Sequence, residues 1–172
     1  MKQMKEKEIN NFLEAFDKHS DALFRFALLK TSDRETAKDM VQDTFVKSFE
    51  YLQKGNNIEN TKAFLFQILR NMIIDFYRKK KSVSLDEHLE GGIEIKEESK
   101  MAKIFENSEE REAVEVLNSL EEPYRETLIL RFVEDLSVND IAETLEVTPN
   151  VISVRINRGL EKLREKMGVL IK

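Results

Sequence analysis

Apolar residues recur at three- and four-residue spacing along most of this chain, the mark of amphipathic helices. The first such run, about residues 5–29, carries Ile9, Phe12, Leu13, Phe16, Leu23, Phe24, Ala27 and Leu28, with a possible break near His19-Ser20. Ser32-Asp33-Arg34-Glu35 then matches a capping box. Beyond it Ala37, Met40, Val41, Thr44, Phe45, Ser48, Phe49 and Leu52 fall on one helical face. Lys54-Gly55-Asn56-Asn57 interrupts the pattern, glycine and asparagine being turn formers. A third helix is predicted over about 61–80, where AFLFQILRNMIIDFY is apolar around most of its circumference. Such a helix is expected at the centre, wrapped by the other two.

The second half has shorter periods and stronger punctuation. A helix from Ser108 to Leu120 turns Ala113, Val114, Val116, Leu117 and Leu120 inward. Pro123 suits the first turn of the next helix, where a missing N–H does no harm. That helix is predicted to run through Tyr124, Leu128, Ile129 and Phe132 to a turn at Glu134-Asp135. Ser137 is placed to cap Val138–Leu145, with Asp140 in the reciprocal position. Thr148-Pro149 is a capping hydroxyl followed by proline at a first helical position. The last helix is predicted to reach about Met167, with Ile152, Ile156, Leu160 and Leu163 inward. Two short helices joined by about three residues describe a helix-turn-helix. Between the halves, SVSLDEHLEGGIEIKEESK holds Gly91-Gly92, many acids and no sustained period, and reads as a linker. The expected fold is therefore all-α, with two small helical domains, 1–81 and 108–172, joined by a flexible acidic linker over 82–107.

Charge changes this picture only when it is divided. The 172 residues carry 28 Lys and Arg against 33 Asp and Glu, a net −5 that as a total argues against a nucleic-acid partner. Residues 1–81 hold 16 basic and 12 acidic side chains, net +4; residues 82–122 hold 4 and 13, net −9; residues 123–172 hold 8 of each, net zero. The acidity belongs to the connector and the helix after it. There is no Cys, and His19 and His88 are isolated, so neither is assigned a role. No glycine-rich phosphate loop or H-E-x-x-H pair is present. No catalytic residue, metal site or cofactor is expected. No run of 18 apolar residues occurs and no apolar segment follows the charged start, so direct membrane insertion and secretion are not expected and the chain reads as cytoplasmic.

The faces left outside the predicted cores carry the candidate chemistry. With Val41 at the centre of the buried side, about 100° per residue places Asp39, Asp43, Val46 and Glu50 outward and Gln42 at the flank. This acidic stripe suits a basic protein partner, and it equally suits plain wetted surface. The third helix ends in Arg78-Lys79-Lys80-Lys81. Those cations complement a helix C-terminus; together with Arg70 they also suit phosphates. Asp75 and Arg78, three apart, can pair with each other. On the last helix the outer arc is Asn150, Ser153, Val154, Asn157 and Arg158, with Arg155 near the edge. Short polar groups and arginine near a helix start are what major-groove reading requires, although an ordinary helical domain can show the same face. The zero net charge of that domain argues against strong independent DNA binding.

Taken together, the two halves resemble a small two-domain bacterial RNA polymerase sigma factor of the extracytoplasmic-function type. The matching runs are DRETAKDMVQDTFVKSF and AFLFQILRNMIIDFYRKKK, then LNSLEEPYRETLILRFVEDLSVNDIAETLEVTPNVISVRINRGLEKLREKM. They cover about residues 10–81 and 109–167. The resemblance implies a non-catalytic, dissociable subunit that binds core polymerase, recognises promoter DNA and promotes open-complex formation. It implies that the helix of Asp39, Gln42, Asp43, Val46 and Glu50 docks on the clamp coiled coil of the largest polymerase subunit, and that the second domain meets the flap of the second-largest. The segment of Asn56, Asn57, Asn60 and Lys62, with Arg70, Asn71, Arg78, Lys79, Lys80 and Lys81 behind it, would open and hold the upstream melting element. Bases flipped from an opened strand cost least to extrude. Asn150, Ser153, Val154, Arg155, Asn157 and Arg158 would read the distal promoter element. An anti-sigma protein is a further implied partner, able to hold the chain inactive, near the membrane in some cases; when active it would sit on the nucleoid.

Three positions depart from the family pattern. Phe64 stands where tryptophan is common before the Leu-Phe of the third helix, which keeps an aromatic core anchor. Glu146 replaces a turn glycine, so the bend must be reached without one. The recognition helix reads Asn150-Val151-Ile152-Ser153-Val154-Arg155 in place of the frequent Gly-Thr-Val-Lys-Ser-Arg, which removes a lysine and two hydroxyls and adds Val154, a side chain able to meet a thymine methyl. Two other classes stay open on the residues alone. A stand-alone helix-turn-helix regulator would bind duplex tightly without polymerase, and a degenerate sigma-like protein would act through protein contacts only.

Overall fold

Helix α1 (Glu6–Thr31) runs unbroken through His19-Ser20. The interruption expected there does not occur because His19 is itself buried and the inward face continues through Leu23, Phe26 and Ala27. The computed structural model describes residues 6–87 and 107–170, and every described element is helical. The chain divides into two compact units, the first containing α1, α2 (Arg34–Gln53) and α3 (Thr61–Glu87).

In the first unit each helix packs on both others. Ala63, Leu65, Phe66, Leu69 and Ile73 of α3 are buried, yet Ile74 stays exposed, so α3 is one wall of a three-helix bundle rather than a wrapped axis. Phe66 meets Phe26 edge-on at 5.5 Å, both fully buried. Burying such a side chain is worth roughly 1.5–3 kcal/mol. Phe12 is drawn against Phe45 and Phe49, with centroids at 6.0 and 5.3 Å. Ile9, Leu13 and Phe16, of the same apolar run, remain exposed. Two polar contacts fix the corners. The Tyr77 hydroxyl donates to the carbonyl of Lys30, tying α3 to the end of α1. Asp33, not Ser32, caps α2, accepting from the Thr36 N–H at 2.8 Å. Ser32 is instead held left-handed at φ 54 as α1 ends, and the carboxylate one residue later also suits the helix dipole.

Helix α3 continues to Glu87, so residues 82–87, expected as linker, are helical. The rest of the expected linker, including His88, lies outside the described residues apart from Asn107. Asn107 caps α4 (Ser108–Asn118), accepting from the Glu109 N–H at 3.0 Å. Within α4, Val114 and Val116 are buried and Ala113 is exposed. One methyl has too little apolar area to set the rotation of a helix against two valines.

Helix α5 (Glu122–Leu128) carries Pro123 in its first turn and then widens into a π-helical segment, Ile129–Val133, where the sequence pattern predicts plain helix. The extra residue per turn keeps Ile129 and Leu130 in the core and puts Phe132 outside, 59% exposed. The segment closes with the Leu136 N–H donating to the Leu130 carbonyl at 2.9 Å. The Leu136 carbonyl accepts from Arg131 Nη1, also at 2.9 Å. Helix α6 (Val138–Leu145) starts with the expected capping box, Ser137 and Asp140 satisfying each other's backbone N–H. Helix α7 (Pro149–Leu170) follows. It crosses α5 closely at Gly159, where an added Cβ would stand 3.1 Å from Leu128 Cδ1.

Candidate functional site

The outward face of α2 is set by what its other face buries. Ala37, Met40, Val41, Thr44, Phe45 and Ser48 are buried. Asp39, Gln42, Asp43, Val46 and Glu50 are all exposed. The hydroxyls on the inner side close on their own helix, Thr44 donating to the Met40 carbonyl at 2.7 Å and Ser48 to that of Phe45 at 2.8 Å. They therefore cost the core little. Val46, 54% exposed, is an apolar centre on an otherwise acidic and polar stripe. A face of that kind can pair with a cationic surface and still bury some apolar area.

The turn between α2 and α3 is built from asparagines. Asn56 Nδ2 donates to the Tyr51 carbonyl at 3.1 Å, and Gly55 takes φ 83. Asn60 Oδ1 accepts from the Ala63 N–H at 3.1 Å, so this expected DNA contact also starts α3. Asn57 is exposed and Lys62 half-buried. Beside the turn, Tyr51 lies against Phe64 at 4.8 Å. Phe64, expected as a core anchor, is half-buried, with Tyr51 against its ring. Tyr51 is missing from the residues singled out by sequence; the signal available was an aromatic three positions before a Lys-Gly-Asn-Asn turn.

Farther along α3, Arg70 is half-buried and Asn71 exposed, while Arg78, Lys79, Lys80 and Lys81 are all exposed. Arg78 pairs with Asp75 at 2.9 Å on the open surface, a contact worth well under 1 kcal/mol and easily given up. His19, passed over by the sequence reading, is buried in this unit. Burial first, then the charges of Lys18 and Lys62, hold its imidazole below the usual histidine range. The site therefore favours the neutral ring over the cation.

In the second unit the helix-turn-helix is α6, a three-residue turn and α7. The bend is made by Glu146 itself in the left-handed region, φ 55 and ψ 41, with the Val147 N–H donating to the Ala142 carbonyl at 3.0 Å. Thr148 Oγ1 accepts weakly from the Val151 N–H at 3.4 Å as α7 begins. Ile152 and Gly159 are buried, which turns Asn150, Ser153, Val154, Asn157 and Arg158 outward. Arg155 is half-exposed at the edge. The Ser153 hydroxyl donates to the Pro149 carbonyl at 3.1 Å and keeps its lone pairs for a ligand. The structure thus brings the α2 stripe and the outer α7 set each onto one face of its unit, whereas the α2–α3 turn and the Arg78–Lys81 tail stand at opposite ends of α3, roughly 25 Å apart along the helix, and share only its length.

Among the described residues no group of three acidic or histidine side chains is placed to hold a metal ion. No described helix is long and apolar enough to cross a membrane.

Comparison with known proteins places the chain in a family. The family model for sigma-70 region 2 matches residues 15–83, and that for sigma-70 region 4 matches residues 110–163. The RNA polymerase sigma factor SigV of Bacillus subtilis is 29% identical over 148 residues, 85% of this chain and 84% of that protein. The ECF RNA polymerase sigma factor SigM of the same organism is 24% identical over 161 residues, 88% of this chain and 91% of the other. Among solved structures, the sigma factor RpoE of Bartonella quintana, crystallised with the anti-sigma factor NepR, superposes with a TM-score of 0.71 at 25% identity, covering 92% of this chain and 98% of that one. With both regions matched in order, and with relatives of this type aligned over most of their own length, the chain belongs to the extracytoplasmic-function branch of the sigma-70 family of RNA polymerase sigma factors.

Proposed function

We propose that this sigma factor divides its work among the three surfaces described above. As a family member it is a non-catalytic subunit that gives core RNA polymerase its promoter and supports initiation there. The finer assignment is ours. Asp39, Gln42, Asp43, Val46 and Glu50 form the core-binding face, directed at the clamp coiled coil of the largest subunit. The flap of the second-largest subunit is the partner of the second unit. Asn56, Asn57, Asn60, Lys62, Arg70, Asn71 and Arg78 to Lys81 hold the melted upstream element, with Tyr51 added as a ring on which an unpaired base can stack. Asn150, Ser153, Val154, Arg155, Asn157 and Arg158 read the distal element. An anti-sigma protein is the expected inhibitor, a reading supported by the complex solved for the Bartonella relative. The chain is expected to act in the cytoplasm, on the nucleoid.

The observation that carries the assignment is the α2 stripe. All five of its side chains are exposed, while Met40, Val41, Thr44 and Phe45 between them are buried. The exposed set is therefore free to serve a partner without disturbing the fold. The test is reconstitution of the full chain with core polymerase, followed by mapping of the promoters it selects. D43R should weaken association roughly tenfold or more without lowering thermal stability. Association unaffected by reversing Asp39 and Asp43 together would overturn the assignment. Tight specific duplex binding without polymerase would favour the stand-alone regulator instead.

A further inference from the structure

The outer face of α7 has an apolar centre. About 100° per residue sets the inward direction of this helix between Ile152, Ile156, Gly159 and Leu163. Val154 then points about 180° away, at the middle of the exposed arc. It is 39% exposed, and Val151, one turn earlier, is 37% exposed. Val151, Val154 and Arg158 form one column along the helix, and Asn150 and Asn157 form the next. The central position of a base-reading face is thus held by a side chain with no donor and no acceptor, flanked by an arginine able to hold phosphate.

In the major groove guanine, cytosine and adenine present only donors and acceptors, whereas thymine adds a methyl group. A valine set against a polar edge strips water from it and returns no hydrogen bond. Set against the thymine methyl, it buries apolar surface on both sides. Resting on the reading of α7 as the distal-element helix, we propose that Val154 specifies a thymine in that element through its 5-methyl group, with Val151 closing the same contact from the side. The asparagines and arginines around it supply the hydrogen bonds and phosphate contacts, and Val154 supplies the base choice.

The test uses the full chain with core polymerase on a promoter it has been shown to select. Each thymine of the distal element is replaced in turn by deoxyuridine, which removes the methyl group alone. One position is expected to lose about threefold to fivefold in open-complex formation, the worth of one buried methyl. V154A should lower output from the thymine template and make the thymine and uracil templates equal there. Val154 is exposed, so the variant keeps its fold. A distal element without thymine, no position sensitive to the methyl, or a sensitivity that survives V154A would each overturn the proposal while leaving the sigma-factor assignment intact. Failure of the wild-type holoenzyme to select any promoter would instead remove the reading on which it rests.

Discussion

The two units solve the same problem, burying one stripe of each helix, with different materials. The first uses three long helices of 26, 20 and 27 residues. Every ring–ring contact found among the described residues is within it. The second uses helices of 11, 7, 8 and 22 residues around an aliphatic core of Leu120, Leu128, Ile129, Leu130, Leu136, Ile141 and Ile152. Short helices gain less from their own backbone hydrogen bonds, so turns and caps carry more of the definition. Asp135 and Glu146, two of the three non-glycine residues at positive φ among the described residues, are accordingly found there. The lesson concerns function. The first unit can present a long side face for docking, because its stability is vested in the opposite faces of the same helices. The second is shaped by its bends, and these decide where the recognition helix points.

The comparison is broken most severely from within the first core. F66A should cost about 3–5 kcal/mol, the usual loss for a buried phenylalanine. Native-state hydrogen exchange should show faster opening across α1–α3 and no change in α4–α7. Equal acceleration in both units would mean that they do not stand apart energetically. Next in size is the recognition face. R155A with R158A should reduce promoter output by about 1.5–3 kcal/mol equivalent per charged hydrogen bond lost to DNA, with core association unchanged in a pull-down. Loss of core binding would place these arginines on a protein interface.

Two smaller changes sharpen the claim that the second unit depends on its turns. E146G relieves a side chain in the left-handed region and should raise the stability of that unit by about 1 kcal/mol, read as a higher denaturant midpoint with an unchanged slope. S137A removes one half of the capping box and should cost about 1 kcal/mol. The smallest expected effect is in the first unit. His19 is held below its ordinary 6.5 by burial and by Lys18 and Lys62. The unfolded chain therefore takes up the proton more readily. Stability from this group is complete above about pH 6.5 and declines as the pH falls below it. H19Q should flatten that acid-side decline in thermal melts collected from pH 7.5 to 5. An unchanged slope would mean that other groups govern it.

Much of the architecture was legible along the chain, because periodicity and capping are local. The stripe Ala37 to Ser48 fixed the buried face of α2 and hence the outward set from Asp39 to Glu50. Ser137 with Asp140, and Thr148 with Pro149, marked the starts of α6 and α7 from residue types alone. What misled was equally physical. Apolar character by itself does not say how far a helix is covered: Leu13 and Phe16 belong to the apolar run of α1 and lie outside. A π-helical widening leaves no mark in the spacing of Leu128, Ile129 and Phe132, so the run through Phe132 reads as plain helix and does not show that Phe132 ends outside. Ser32 and Asp33 are both good capping residues, and only the exit of the chain from α1 chose between them.

The sequence by itself therefore determined that this protein is helical, that it has two halves with a charged connector, and which faces are polar, since these follow from residue type and spacing. Tertiary structure alone decided that Tyr51 shields Phe64, that His19 is buried beside cationic neighbours, and that Glu146 bends the chain left-handed. Each of these depends on groups brought together from separate elements or on a backbone angle, and neither is written in local periodicity. The orientation of Val154 belongs to both. Its place on α7 follows from helical spacing, and its exposure at the centre of the outer face follows from Gly159 letting α7 settle against Leu128.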